Sequence, residues 1–267
     1  MKKVKIISFT LSACLLMLVP AQGQSTSSSP APKRKLLIEG KFNAMAIDPQ
    51  GLLYAVSDAT LYKYTADGKL LYSYTDNMLG RIHSIDVDNP LKIMVFYQES
   101  GSIVFLNDKL APIGDAIDLY GQGFNTISAA TYSTRNELIL FDETNNDLLF
   151  LDFYFKIKEK IHYGIAEIHP IQMTNISEKM LIIQDAEGGV MFFDHFGTFE
   201  KQLNFHTDRI VQVQGDYVYY LKDDSLLRYD GLHLTMEEVM KSPPGALQAF
   251  IHRTDVYFLT EEGIIRY

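Results

Sequence analysis

The sequence predicts an all-β fold in which one four-stranded unit occurs six times around a closed ring. Two observations carry this prediction: a hairpin pattern that recurs six times, and a further β-like run that precedes each hairpin. The composition agrees, because the 267-residue chain contains 16 Tyr and 16 Phe, residue types that favour strands. Six such units in a ring constitute a six-bladed β-propeller with four-stranded antiparallel blades.

Each hairpin consists of two apolar, β-rich runs around a short polar turn. The first copy is L-L-Y-A-V-S-D-A-T-L-Y-K-Y, residues 52–64. Its spacing to the later copies falls within the period of propeller blades. The copies end at Tyr64, Leu106, Leu151, Phe193, Tyr229 and Tyr267, which are 42, 45, 42, 36 and 38 residues apart.

A short β-like run before each hairpin is predicted to form the innermost strand of its blade. Five hairpins are also followed by a fourth run, whereas the sixth, 255–267, is not. The run K-L-L-I-E-G (35–40) precedes the first inner strand, so we expect it to become the outer strand of the last blade and close the ring. The inner runs are 42–47, 82–87, 125–130, 171–176, 209–214 and 246–251.

The stretches D-P-Q-G-L-L-Y-A-V (48–56) and L-Y-K-Y-T-A-D-G-K-L-L (61–71) resemble repeats of six-bladed propellers of the NHL and TolB-like type. The resemblance covers residues 36–267, although the N-R-I-Q-V-F strand of NHL repeats and the WD dipeptide are absent. Such propellers include enzymes, signalling modules and assembly factors. The resemblance therefore implies an architecture and not an activity.

Residues 1–23 are predicted to form a signal peptide. Three lysines among the first five residues precede an apolar run, 6–19, which is too short to span a membrane comfortably. Small residues at positions 21 and 23 favour cleavage before Gln24, which would deliver the protein to the periplasm or the cell surface. The alternative is a membrane-anchored lipoprotein, because L-S-A-C (11–14) resembles a bacterial lipobox that would lipidate Cys14.

The rest of the chain divides into a flexible Ser/Pro-rich segment, 24–34, and a single propeller domain, 35–267. No further apolar run is long enough for a transmembrane span.

Cys14 is the only cysteine, so cleavage after residue 23 would leave no thiol for disulfides, metal binding or catalysis. A net charge of -9 argues against a nucleic-acid partner.

The turns between the second and third strands of the blades are predicted to form an acidic face. Asp is common in tight turns, but Glu has no such preference, so solubility and partner binding remain as explanations for the glutamates. A functional acidic face would favour a basic protein partner. Its candidate residues are Glu99, Glu143, Glu187, Asp223, Asp224, Glu261 and Glu262.

Two further sets of candidates lie near this face. Tyr120 and Phe124 flank a glycine-containing loop, where they would either anchor a partner or cover the core beneath. Polar residues at the starts of the inner strands could converge on the central channel and bind a small ligand. These are Asn43, His83, Asn125, Gln172, Arg209 and Gln248.

No catalytic motif is recognisable. G-x-S-x-G is absent, the seven His are dispersed, and D-E-T-N-N-D (142–147) lacks calcium-loop spacing. We therefore predict no catalytic residues, no metal site and no cofactor. The leading hypothesis is an exported, non-enzymatic scaffold that binds another envelope or secreted protein. The alternatives are a metal-assisted hydrolase or lyase, with its metal near His83 and Asn43, or a sensor of sugars or peptides in the channel.

Overall fold

The computed structural model of the chain describes residues 34–133, 135–164, 167–176, 180–187, 189–204, 207 and 209–267. These residues form six four-stranded antiparallel sheets, and there is no helix among them. The six-bladed β-propeller predicted from the repeats is therefore confirmed. The predicted signal peptide, and all of the predicted flexible segment except Arg34, lie outside the described residues.

Each blade is a meander whose strands follow one another in sequence, except that the last blade takes its outer strand from the start of the domain. Blade 1 consists of β2 Ala44–Ile47, β3 Leu53–Ser57, β4 Thr60–Tyr64 and β5 Leu70–Thr75. Blade 2 consists of β6 Ser84–Asp86, β7 Ile93–Tyr97, β8 Ser102–Leu106 and β9 Ile117–Asp118. Blade 3 consists of β10 Ile127–Tyr132, β11 Leu138–Asp142, β12 Asp147–Leu151 and β13 Ile157–His162. Blade 4 consists of β14 Pro170–Ile176, β15 Met180–Asp185, β16 Gly189–Asp194 and β17 Phe199–Leu203. Blade 5 consists of β18 Gln212–Gln214, β19 Tyr217–Lys222, β20 Ser225–Asp230 and β21 Thr235–Lys241. Blade 6 consists of β22 Ala246–His252, β23 Asp255–Thr260, β24 Gly263–Arg266 and β1 Lys35–Glu39.

The middle strands of the blades are buried on both faces, whereas the outer strands are exposed. Every residue of β7 (I-M-V-F-Y) is buried, but nearly every residue of β13 (I-K-E-K-I-H) is exposed. A middle strand is covered on both faces because a neighbouring blade packs on each side. This explains why the repeats are visible as continuous apolar runs rather than as alternating ones.

The hydrophobic core lies in six seams, one between each pair of adjacent blades. The seam between blades 6 and 1 joins the two ends of the domain. In it, Ile38, Tyr257 and Ile264 of blade 6 pack with Met45 and Leu53 of blade 1. Burial is therefore continuous around the ring, with no seam left open among the described residues.

Strand β1 forms the outer strand of the last blade. It pairs antiparallel with β24, from Lys35 opposite Arg266 to Glu39 opposite Gly263. A backbone hydrogen bond from Gly40 N–H to the Glu262 carbonyl, 3.1 Å long, extends the pairing. The N-terminal strand thus occupies the edge that β24 would otherwise expose.

The meander gives the ring two chemically different ends. The turns between second and third strands lie at the end where the inner strands start, and we call this end the acidic face. The turns that follow the first and third strands lie at the other end, where the inner strands finish, and we call it the opposite end. A residue late in an inner strand therefore belongs to the opposite end.

Candidate functional site

The seven carboxylate residues predicted for the acidic face are all exposed, and all lie in turns between second and third strands. Two of them have a partner. Arg34 approaches Glu262 at 3.6 Å, and His169 Nδ1 lies 2.7 Å from Glu143 Oε1. The remaining five form no ion pair with another described residue. These are Glu99, Glu187, Asp223, Asp224 and Glu261.

The Glu143–His169 pair belongs to an open depression on the acidic face, between blades 3 and 4. The hydrogen bond to Glu143 raises the pKa of His169, because the carboxylate favours the protonated imidazole. His162 Nδ1 lies 3.0 Å from the buried Asp147 carboxylate nearby. Because its pKa is raised, His169 gains its positive charge at a higher pH than a free imidazole does, and the acidic character of this part of the face is strongest above that pKa.

Tyr120 and Phe124 occupy different environments. The Phe124 ring is half-buried and packs against the seam between blades 2 and 3. The Tyr120 side chain is 44% exposed, and its hydroxyl donates to the Glu99 carbonyl at 3.2 Å. Its ring also lies over Gly101, where any side chain would collide with it. Tyr120 is thus held in place with one side of its ring open, as a rigid contact residue requires.

The six polar residues predicted to converge on the channel do not share one environment. Asn43 and Asn125 are exposed at the acidic face, and the Asn43 Oδ1 accepts the Asp58 N–H at 2.7 Å. His83 stacks edge-on against Phe96, and burial lowers its pKa. The Arg209 carbonyl accepts a hydrogen bond from Gln184. These residues stay candidates, but the structure gives them separate neighbours.

Gln248 links blade 6 to blade 1. Its side-chain oxygen accepts the Met45 N–H, and its nitrogen donates to the Met45 carbonyl, both at 2.9 Å and both buried. Gln212 forms the same pair of hydrogen bonds with the next blade, because its side-chain oxygen accepts the Ile251 N–H and its nitrogen donates to the Ile251 carbonyl. These glutamines act as latches between inner strands, where backbone groups would otherwise be left unpaired.

We expect Gln248→Leu to lower the free energy of unfolding by about 2–4 kcal/mol, because it leaves a buried N–H and a buried carbonyl of Met45 without partners. Chemical denaturation measures the change. The control is Gln50→Leu, since Gln50 is exposed and only its backbone N–H is engaged. Equal stability of the two variants would contradict the latch role.

Only Gln172 of the six channel residues lines the central cavity, which lies toward the opposite end of the ring and has a volume of about 470 Å³. Sequence reasoning placed the ligand site at the starts of the inner strands, but the cavity is bounded largely by residues from their later parts and from the loops that follow. Its polar lining includes Asp86, Asp88, Lys92 and His252.

Asp86 and Asp88 form a carboxyl pair at this cavity. Water reaches Asp88 within the channel, yet protein surrounds the group on most sides. Burial and the neighbouring Asp86 raise the pKa of Asp88 to about 7, and burial also raises that of Asp86. The sequence signal was D-V-D (86–88), an alternation that would place both carboxylates on one strand face, although β6 ends at Asp86 and Asp88 lies in the loop that follows. Their placement at the axis required the fold.

No group of three or more His, Cys, Asp or Glu side chains is placed to hold a metal ion within the described part of the chain. Across the same residues, no helix combines the length and apolar character needed to cross a membrane.

The fold and its axial cavity define the class of the molecule: it is a six-bladed β-propeller similar in architecture to TolB-like propellers. No protein-family model matches the sequence, and no curated protein is significantly similar to it. Solved propellers do match the structure, at identities so low that only the fold is shared.

Three of these structures illustrate the range. A catalytically inactive virginiamycin B lyase from Staphylococcus aureus, solved with quinupristin, matches with a TM-score of 0.58 and 13% identity over 88% of each chain. BamB from Moraxella catarrhalis matches with a TM-score of 0.51 and 11% identity, over 86% of this chain and 82% of its own. PorZ, described as an essential bacterial surface component of the type-IX secretion system of Porphyromonas gingivalis, matches with a TM-score of 0.50 and 12% identity, over 86% of this chain and 37% of its own.

Proposed function

We propose that the protein is an exported, non-enzymatic propeller whose acidic face binds a basic region of another envelope or secreted protein. The observation that carries this proposal is the exposure of all seven predicted carboxylates at one end of the ring, five of them without an ion pair to a described residue. Unpaired charges of one sign on one face attract a partner of opposite charge and accelerate its association.

The geometry of the face supports a protein partner over a small ion. The carboxylates are spread over blades 2 to 6 rather than gathered at one point, so only an extended surface contacts several of them. Tyr120 adds a fixed aromatic ring beside the blade 2 turn, and such rings are frequent among the energetically dominant residues of interfaces. A basic surface with an apolar contact for Tyr120 fits this pattern.

Export is supported by the predicted signal peptide at residues 1–23. Similarity to a propeller described as a bacterial surface component agrees with that location but shares only the fold. The alternative is a lipoprotein in which Cys14 is lipidated. Mass spectrometry of the mature N-terminus distinguishes the two, since cleavage before Gln24 and acylation of Cys14 give different masses.

The proposed function is tested by reversing charge on one face at a time. We expect Glu99→Lys, Asp223→Lys and Asp224→Lys together to abolish crosslinked capture of the partner from an envelope extract of the native host. The control is Asp67→Lys, Asp108→Lys and Asp216→Lys, which makes the same change in net charge with exposed residues at the opposite end. Unchanged capture by the acidic-face variant, or no capture by the wild-type protein, would refute the proposal.

The enzymatic alternative, a metal-assisted hydrolase or lyase, has its support in the fold shared with virginiamycin B lyase. It requires a metal near His83 and Asn43, so metal analysis of the purified protein tests it directly.

The sensor alternative needs a ligand cavity on the axis. The cavity of about 470 Å³ favours it, because small-molecule pockets are commonly about 300–1,000 Å³.

A further inference from the structure

The axial cavity has both a polar and an apolar lining. Residues of all six blades contribute the polar groups, and Ile47, Ile182, Val211 and Phe250 contribute apolar surface. A pocket of this kind suits a ligand that has a hydrocarbon or aromatic body and one strongly polar group. The free polar groups of the lining determine which polar group of a ligand can bind.

Most polar side chains of the cavity are already used by the fold. Asp48 accepts the N–H groups of Gln50 and Leu52 and the Tyr54 hydroxyl, and it has no exposed surface. Asp86 accepts from the Thr131 hydroxyl at 2.7 Å and from the Asp88 N–H at 3.1 Å. Asp48 thus fixes the turn between β2 and β3, Asp86 links blade 2 to blade 3, and both carboxylates have little capacity left for a ligand.

Gln184, Gln212 and Gln214 are engaged as well, since each bonds to the backbone of the next blade. Lys92 donates to the Tyr132 hydroxyl, and its ammonium lies over the rings of Phe105 and Tyr132 at 4.4 and 4.0 Å. The Lys92 ammonium therefore already interacts with neighbours within the protein.

Three acceptor groups of the lining lack a side-chain hydrogen bond among the described residues. The Asp88 carboxylate is exposed to the cavity, whereas the Gln172 Oε1 and the His252 Nε2 are buried in its wall. They come from blades 4, 6 and 2, so they surround the axis from alternate blades. An amide oxygen and a carboxylate are acceptors, and a neutral imidazole nitrogen can be one.

The negative charge of the Asp86 and Asp88 carboxylates also favours a cation. Asp86 and Asp88 are close enough for the charge of Asp86 to oppose ionisation of Asp88. A cation beside them relieves this repulsion and leaves no carboxylate uncompensated in a protected environment. An anion would add a third negative group to the same space.

We propose that the axial cavity binds a small organic cation, an ammonium group attached to an apolar body, through the Asp88 carboxylate. An ammonium carries three N–H donors and no acceptor, which matches an exposed carboxylate that accepts no side-chain hydrogen bond among the described residues. This site is independent of the protein-binding function proposed for the acidic face.

Binding of such a cation is coupled to proton release. The cation selects the ionised form of Asp88, whose pKa is raised to about 7 in the unliganded protein. We therefore expect affinity to be about tenfold weaker at pH 6 than at pH 8, because the ionised fraction falls by about that factor. The other ionisable groups of the cavity are Asp48, Asp86, Lys92, Tyr132 and His252.

Isothermal titration calorimetry with three matched probes tests the proposal on the intact propeller. The probes are phenethylammonium, neutral 2-phenylethanol and anionic 3-phenylpropionate, which differ mainly in charge. We expect only the cation to bind at millimolar concentration or below. We also expect Asp88→Asn to weaken its binding at pH 8 at least tenfold and to remove the pH dependence, while Asp86 and His252 are still present.

The matched control is Asp115→Asn, which makes the same charge change at an exposed residue outside the cavity. Thermal melts of both variants verify that the ring is intact, and Asp88→Ser, which is also expected to weaken binding at least tenfold, provides a second variant should Asp88→Asn fail to fold. The proposal is overturned if the alcohol binds as well as the cation, if Asp88→Asn binds like the wild type, or if the cation does not bind at 10 mM.

Discussion

A chain that begins at Lys41, and so lacks β1, is expected to lose most of its stability, whereas a chain that begins at Arg34 keeps it. Removal of β1 exposes the edge of β24 and uncovers Ile264 and Ile265, which have no exposed surface in the intact ring. It also deletes Ile38 from the seam between blades 6 and 1. The loss therefore extends to the contact that closes the ring.

The size of this effect follows from what is removed. Burying one large aliphatic side chain contributes about 1.5–3 kcal/mol, and each lost backbone hydrogen bond costs about 0.5–1.5 kcal/mol. Four residue pairs are lost between β1 and β24, so a total near 5 kcal/mol is expected, against a typical domain stability of about 5–15 kcal/mol. Thermal unfolding of the two chains measures the difference, and equal melting temperatures would show that β1 is dispensable.

The second large effect is expected at Gly263, the first residue of β24. Its φ is +139°, and a Cβ there would overlap the carbonyl oxygen of Ile38 on the paired strand. Because that atom belongs to the backbone, it cannot move without disturbing the strand pairing itself. Backbone strain and overpacking each cost about 1–3 kcal/mol, so Gly263→Ala should lower the free energy of unfolding by about 3–5 kcal/mol.

Gly215→Ala is the matched control for this substitution. Gly215 also has a positive φ, +58°, but no atom lies within 4 Å of the position its Cβ would take. Only the conformational cost of about 1–2 kcal/mol applies there. Denaturant titration of both variants measures the added cost of strain and collision at Gly263, and a Gly263→Ala variant no less stable than the Gly215→Ala variant would rule out that added cost.

The sequence by itself determined the number of blades and the position of nearly every strand. Six hairpins were visible because each middle strand is buried on both faces and must therefore be apolar along its whole length, as in β7. Such a pattern is local and needs no knowledge of distant residues. The exposure of the seven candidate carboxylates was predictable from the sequence as well, because charged residues in hairpin turns are mostly exposed.

Only the tertiary structure decided which polar residues serve the fold and which remain available at the axis. Gln248 was a candidate ligand residue, but it bonds to Met45, 203 positions away in the chain. Asp88, Gln172 and His252 line one cavity only because blades 2, 4 and 6 meet around one channel. Contacts of this range depend on how the ring closes, and the spacing of residues within one blade carries no information about them.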